Sequence, residues 1–335
     1  MSNSSHSKVM ATIGVGVGMT VLSGLSFLYY KYTKKEVIPT KWRQVGELDE
    51  LYMYPIKSCG AVELDEAVCE NLGIRKGDIK DRSLMIIEKS GQVITARTYP
   101  KMFQISPKIV GHSKLIFSAP GMKDLHFDFH ALGDNSRGDV EALIYGYTAT
   151  VLDCGEIYHK WLSEYILGES EGLRLVYYPY SFPTRPIDKD YSEGVFTKQD
   201  TGTFQDISSY HLINNNSVEE LNTRLKEPVP FTQFRANFNI KTTGQPYEED
   251  NWQWIRIGND SIFRNIGPCY RCILPNINPY TATRHSEAEP LKTLKTYRVI
   301  PGAKSKSPGI GIQMGLRAQG LVRKGDCIFV EDLSN

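Results

Sequence analysis

The chain has 335 residues, with 39 Lys and Arg against 38 Asp and Glu and a formal net charge of +1. Its charge as a whole therefore draws it neither to nucleic acid nor to an anionic substrate, and any basic site has to be local. The length supports a sizeable core, as one large domain or two intimate ones, without a disulfide scaffold. The six cysteines (Cys59, Cys69, Cys154, Cys269, Cys272, Cys327) are scattered, as suits a reducing compartment, and the seven histidines show no HExxH or other paired zinc spacing.

The first element is the run from Val9 to Tyr30, VMATIGVGVGMTVLSGLSFLYY, which carries no charge. About 20 such residues rising 1.5 Å each cross a bilayer core of roughly 30 Å, so the run reads as a transmembrane helix. It is too long for the apolar part of a secretory signal, and the bulky FLYYKYTKK ending lacks a small-residue cleavage site. Lys8 precedes it while Lys31, Lys34 and Lys35 follow it, which places the rest of the chain on the cytosolic side. Tyr29, Tyr30 and Tyr32 suit the interface belt, and the G-x-x-x-G of Gly14 and Gly18 reflects composition more than a dimer face.

After a short polar linker come many brief β-like runs: LYMYPI, SLMIIE, QVITA, LIFSA, LHFDFH, ATVLD, LRLVYY, FNI, WIRIG, SIFRNI and CIFV. Broken by Gly, Asn, Asp and Pro, they predict a β-rich barrel or sandwich. WIRIGNDSIFRNI, with Gly258, Asn259 and Asp260 between two apolar runs, predicts a hairpin leading to Cys269 and Cys272. Two helices are expected. Residues 155–167 place Ile157, Trp161, Tyr165 and Ile166 near one face, and Ser217 with Glu220 reads as a capping box ahead of Leu221 and Leu225. The polar stretches Ser181 to Gln205 and Asn276 to Gly309 show no convincing period, and loops that long are expected to be functional and to hold the pocket walls.

GPCYRCIL (Gly267 to Leu274) contains a C-x-x-C pair, open to three readings: half of a zinc site, a redox dithiol, or coincidence. No second Cys or His pair completes a zinc site, and a thioredoxin-like dithiol wants a βαβ setting that this region does not offer. A thiolate facing a soft metal held mainly by something else remains open. Basic residues sit beside turns elsewhere: Lys57 in YPIKSCG, Arg82 in KDRSL, Arg97 in ITART, Arg185 in PTRP, Arg235 in QFRAN and Arg271 between the cysteines. Such arginines suit a phosphate-bearing ligand, although any one of them alone is more often a solvated surface charge.

YPIKSCG, KDRSLMII, VLDCGE, the QFRAN region and GPCYRCIL occur together and in that order, ahead of a terminal VRKGDCIFV strand. As a set they resemble the mitochondrial amidoxime reducing components of the MOSC (molybdenum cofactor sulfurase C-terminal) superfamily, over nearly the whole chain. The resemblance implies a β-rich α+β fold: a MOSC-type β-barrel with an N-terminal MOSC β-barrel region, preceded by one transmembrane helix. The expected organisation is a tail at 1–8, an anchor at 9–30, a linker at 31–42, the MOSC N-terminal region at 43–175 and the MOSC domain with the cofactor site at 176–335.

By motif position the resemblance implies Cys272 as the protein ligand to molybdenum and the catalytic residue, with Cys269 a structural neighbour. Lys57, Ser58, Arg82, Ser208, Arg235 and Arg271 match positions that contact the molybdopterin. Asp206 lies beside Ser208, and the family tends to have an aromatic residue near Gln313, in GIGIQMGL, that this chain lacks. The implied activity is reduction of N-hydroxylated compounds (amidoximes, hydroxylamines, N-oxides) with electrons from NADH through cytochrome b5 reductase and cytochrome b5, at the cytosolic face of the outer mitochondrial membrane. No G-x-G-x-x-G follows a strand, so the chain is not expected to use NADH directly. The competing expectations are a tethered module that holds or transfers the cofactor or its sulfur without turnover, and a thiol redox protein using Cys269 and Cys272.

Overall fold

The computed structural model describes residues 36–132, 138–187, 195–300 and 305–334. Lys41–Asn335 forms a compact unit of its own. Its strands begin with β1 (Trp42–Met53), β2 (Val62–Leu64), β3 (Glu66–Glu70), β4 (Gly73–Lys76), β5 (Ile79–Lys80) and β6 (Leu84–Glu88). Next come β7 (Ser106–Val110), β8 (Lys114–Ser118), β9 (Leu125–Asp128), β10 (Asp139–Ile144), β11 (Tyr147–Asp153) and β12 (Leu173–Tyr177). The second half adds β13 (Tyr210–Asn214), β14 (Phe238–Thr242), β15 (Trp254–Ile257), β16 (Ser261–Tyr270), β17 (Gly309–Ala318), β18 (Gly320–Arg323) and β19 (Cys327–Glu331).

The β-rich expectation holds, and the architecture is a barrel: β14, β13, β17, β16, β15, β19 and β1 follow one another, and β1 pairs back onto β14 to close the ring. Closure needs a bent stave, and β1 supplies it. Its register slips between Gln44 and Gly46 against β19 and between Leu48 and Glu50 against β14, the bulges that sharpen strand twist. Gly46 sits at the bend because a Cβ there would lie 2.1 Å from the Lys241 carbonyl oxygen. Inside, Leu48, Leu51, Leu212, Ile255, Ile312 and Ile328 are buried around an aromatic cluster. Tyr210 packs on Phe238 and Phe263 with ring centroids 5.8 and 5.0 Å away. Three further sheets flank the barrel, ordered β10-β11-β12-β6, β18-β3-β4-β5 and β7-β8-β9.

The predicted hairpin is present, with Ile257 paired to Ser261 across the three-residue loop. The predicted first helix is Glu156–Leu167, burying Trp161, Tyr165 and Ile166 but leaving Ile157 exposed. The second helix, Asn215–Asn222, is capped otherwise than expected. Asn214 is the N-cap, its side chain accepting from the Asn216 amide. Ser217 instead donates to the Glu249 carboxylate at 2.8 Å, a group with no exposure. The stretch Asn276 to Gly309 is not all loop, because Leu291–Tyr297 is a helix that buries Leu291 and Leu294. Among the described residues no helix is long and apolar enough to cross a membrane; the expected anchor at 9–30 lies outside the described residues.

Candidate active site

Two connections that local sequence cannot show assemble the site. A parallel bridge from Ile56 to Leu84 lays the Lys57–Ser58 turn beside Arg82, with the Lys57 amide donating to the Leu84 carbonyl and the Arg82 amide to the Tyr54 carbonyl, both at 2.8 Å. Within the barrel, His211 on β13 faces Gln313 on β17, and Gln313 in turn faces Gly267 on β16. β16 carries bulges between Asn265 and Gly267 and between Pro268 and Tyr270, which turn its end toward Cys272.

The result is one pocket lined by Lys57, Ser58, Arg82, Ser208, Arg235, Arg271 and Cys272. These are the seven residues that the resemblance assigns to the site, brought together from positions more than two hundred residues apart. Ser58, Arg82 and Arg235 also have positive φ, at 68°, 49° and 57°. Left-handed backbone in a residue with a Cβ costs energy and persists where the surroundings over-determine it, as they do at functional sites.

The charges in the pocket are unbalanced. Arg82 pairs with buried Asp81, and Lys57 pairs with Asp206 at the mouth. Arg235 and Arg271 are buried and pair with no carboxylate among the described residues. Arg235 donates to the Cys59 carbonyl at 2.7 Å and stacks on the Tyr54 ring at 4.2 Å, leaving Nη2 unspent. Arg271 donates to the Phe234 carbonyl and to Cys269 Sγ, both at 2.7 Å, leaving Nε unspent. Burial, with Arg82 nearby, depresses the Arg235 pKa to about 10. Burial likewise brings Lys57 down to about 8, against the pull of Asp206. Burial pushes the Asp206 carboxyl up, but Lys57 and Arg97 outweigh it and hold it below the usual range. Two desolvated guanidiniums without a carboxylate are the donor set of an anion site.

The two cysteines play different parts. Cys269 is buried and accepts from Arg271 and, at 3.0 Å, from the Gln313 side-chain amide, whose oxygen takes the Ser208 hydroxyl. Burial keeps its thiol pKa raised, against the pull of Arg271. Cys272 is partly open and lines the pocket. Arg271 thus occupies Cys269 rather than leaving it to Cys272, which weighs against a dithiol. Among the described residues no group of three or more His, Cys, Asp or Glu could hold a metal.

Some expectations fall elsewhere. Among the described residues the two long stretches give the pocket only Gln205: the rest of its lining comes from Lys57, Ser58, Arg82, Asp206 to His211, Phe234 to Asn237, Cys269 to Leu274 and Gln313. Arg185 is buried and donates to the carbonyls of Thr201, Gln205, Asp206 and Ile207, so it organises that segment. Arg97 reaches the rim, 3.5 Å from Asp206. His211 was not foreseen; it is held neutral, well below its ordinary pKa, by burial and by Arg271 and Arg82. The strand SSYHLIN, with His211 three residues after Ser208, is the only hint the sequence offers.

A closed barrel with a basic, cysteine-bearing pocket at one end defines a class that profile comparison names: the chain belongs to the MOSC family. The MOSC N-terminal beta barrel domain matches residues 45–169 and the MOSC domain residues 199–329. Its relatives include mitochondrial amidoxime-reducing component 1 of Danio rerio, 31% identical over 97% of this chain and 95% of that protein. The human protein of that name is 32% identical over 87% and 86%, and component 2 of Rattus norvegicus is 31% identical over 86% and 84%.

Proposed function

We propose that this chain is a molybdenum cofactor-dependent oxidoreductase that reduces N-hydroxylated compounds, amidoximes in the first place, to the parent amine or amidine and water. The observation that carries the reading is the pair of buried guanidiniums, Arg235 and Arg271, without a carboxylate partner among the described residues, in the same pocket as the partly exposed thiol of Cys272. The residues present fit a molybdopterin: an anionic phosphate answers the unspent donors, and a soft thiolate answers the metal. Lys57, Ser58, Arg82, Ser208, Arg235 and Arg271 would hold the pterin and its phosphate, and Cys272 the metal.

When bound, the group supplies a two-electron reduction in which the N–O bond breaks and the oxygen leaves as water, taking up two protons. The chain's own part is positional and electrostatic. Arg82, Arg235 and Arg271 neutralise the ligand's charge and are held rigid by backbone carbonyls and by the Tyr54 ring. Lys57, with its lowered pKa, and the Asp206 carboxylate stand at the mouth, where protons have to enter. Gln313 and Arg271 tether Cys269 and so fix the backbone that presents Cys272.

In this reading electrons come from NADH through cytochrome b5 reductase and cytochrome b5. The charge-free run 9–30 would anchor the chain in the outer mitochondrial membrane with the remainder in the cytosol. The run itself, the lysines after it and the word mitochondrial in the relatives' names support that address. The test is elemental analysis of the protein from Lys41 onward, with pterin fluorescence after oxidation. Near-stoichiometric molybdenum and pterin are expected, with molybdenum lost in Cys272→Ala; zinc or no metal overturns the reading. A loaded protein that benzamidoxime does not reoxidise is a carrier instead.

A further inference from the structure

Ile144 pairs with Tyr147 at the end of the β10–β11 hairpin, so the turn consists of Tyr145 and Gly146. Both have positive φ, 46° and 90°. Such a two-residue turn has the I′ form, which selects Asn-Gly because few side chains tolerate left-handed backbone. An aromatic residue there works against its own turn, and its contacts give the reason. The Tyr145 hydroxyl donates to Asp206 Oδ1 at 3.2 Å and accepts from the Arg97 guanidinium. Lys57 Nζ and Arg97 Cζ lie 5.3 and 5.1 Å from its ring centroid. Lys57 and Asp206 line the pocket with Cys272, and the charge of a Cys272 thiolate bears on both Tyr145 and Arg97. Tyr145 is 49% exposed, so it stands at the mouth, delivered from a sheet that is not part of the barrel.

We infer that Tyr145 is the gate of the pocket and the specificity-determining residue of the proposed reduction. Its ring, latched across the mouth by Asp206 and Arg97, admits N-hydroxylated compounds with slim, flat heads and turns away those branched beside the N–O group. Burial and the Asp206 carboxylate push the phenol pKa up, so the hydroxyl stays protonated and the latch holds. Hydrogen bonds to charged partners are the strong kind, and a ring held by two of them keeps one position. The kinetic side of this inference rests on the proposed reductase activity; the accessibility side does not.

Two variants separate ring from latch. Tyr145→Asn installs the pair that the turn prefers, so the hairpin is kept while the ring goes. Tyr145→Phe keeps the ring and removes the latch. In the full chain free of cofactor, alkylation of Cys272 is followed by mass spectrometry with iodoacetamide and with a pyrenyl maleimide. Tyr145→Asn should react with the bulky maleimide about tenfold faster than the parent, with iodoacetamide rates within about twofold, and Tyr145→Phe should fall between. In the holoenzyme, kcat/KM for an ortho-disubstituted benzamidoxime relative to benzamidoxime should rise about tenfold in Tyr145→Asn, mainly through KM. An unchanged maleimide rate in a variant with the parent's melting temperature overturns the gate. A faster maleimide rate with an unchanged substrate ratio overturns the specificity role. A faster maleimide rate with no turnover of either amidoxime by any of the three proteins upholds the gate and overturns the reductase reading.

Discussion

Replacing Arg235 by Met tests whether the pocket is built for an anion, and the two states of the protein should respond in opposite directions. In the ligand-free fold Arg235 is 8% exposed, with no carboxylate partner among the described residues. The fall of its pKa from the ordinary arginine value to about 10 corresponds to roughly 3 kcal/mol at about 1.4 kcal/mol per unit. Because the depressed pKa still lies above neutrality, Arg235 is protonated at pH 7 in both folded and unfolded chains, and the fold carries that cost in full. Methionine removes it but strands the Cys59 carbonyl, worth about 1 kcal/mol, and gives up the stacking on Tyr54, worth about another. The net expectation for the ligand-free protein is a gain of about 1 kcal/mol, or roughly 2 °C in Tm for a fold of this size. With the cofactor bound the sign reverses, because the variant has lost a charge-assisted bond. Scanning calorimetry on ligand-free and loaded protein, parent and variant, reads both. A ligand-free variant destabilised by more than about 2 kcal/mol that still binds cofactor fully would refute the reasoning and make Arg235 structural.

Cys269→Ser should retain molybdenum and activity, since serine can accept the Arg271 and Gln313 hydrogen bonds, whereas Cys272→Ala should lose both; total loss on Cys269→Ser would favour the dithiol. Glu249 has no exposure, and burial raises its pKa to about 7. Between its unfolded value near 4.5 and pH 7 the unfolded chain releases a proton that the fold keeps, so stability should fall across that window by about 2–3 kcal/mol. Urea unfolding at stepped pH should show this fall in the parent and not in Glu249→Gln; parallel curves would dismiss the assignment. Ser217→Ala should cost about 1–3 kcal/mol by stripping a donor from Glu249, and Asn214→Ala about 1 kcal/mol through the helix cap. A Ser217→Ala variant as stable as the parent would dismiss the contribution of the Ser217–Glu249 bond.

Much of what is local was legible. The β-like runs, the hairpin around Gly258 and the helix Glu156–Leu167 follow from alternation, turn chemistry and helical spacing, all of which act over a few residues. The seven pocket residues were legible only through the family resemblance, position by position, because no local spacing ties together residues so far apart along the chain. β13 and β17 were missed because all of β13 and the first eight residues of β17 are buried, so no polar face alternates. The helix Leu291–Tyr297 was missed because seven residues give too few turns to show a period.

The tertiary structure alone decided how these pieces meet. β1 closes the barrel by pairing with β14 and β19, contacts across nearly two hundred and three hundred residues that no local spacing encodes. Likewise Ser217 serves Glu249 instead of its own helix because a buried carboxylate needs a donor more than an already capped helix does. Tyr145 reads as an unremarkable turn neighbour until the fold lays its hairpin against Asp206 and Arg97. The sequence by itself, through the family resemblance, named the residues that line the pocket. Their shared pocket, its unpaired charge and its mouth exist only once distant segments are packed, because desolvation and charge imbalance are properties of the folded neighbourhood.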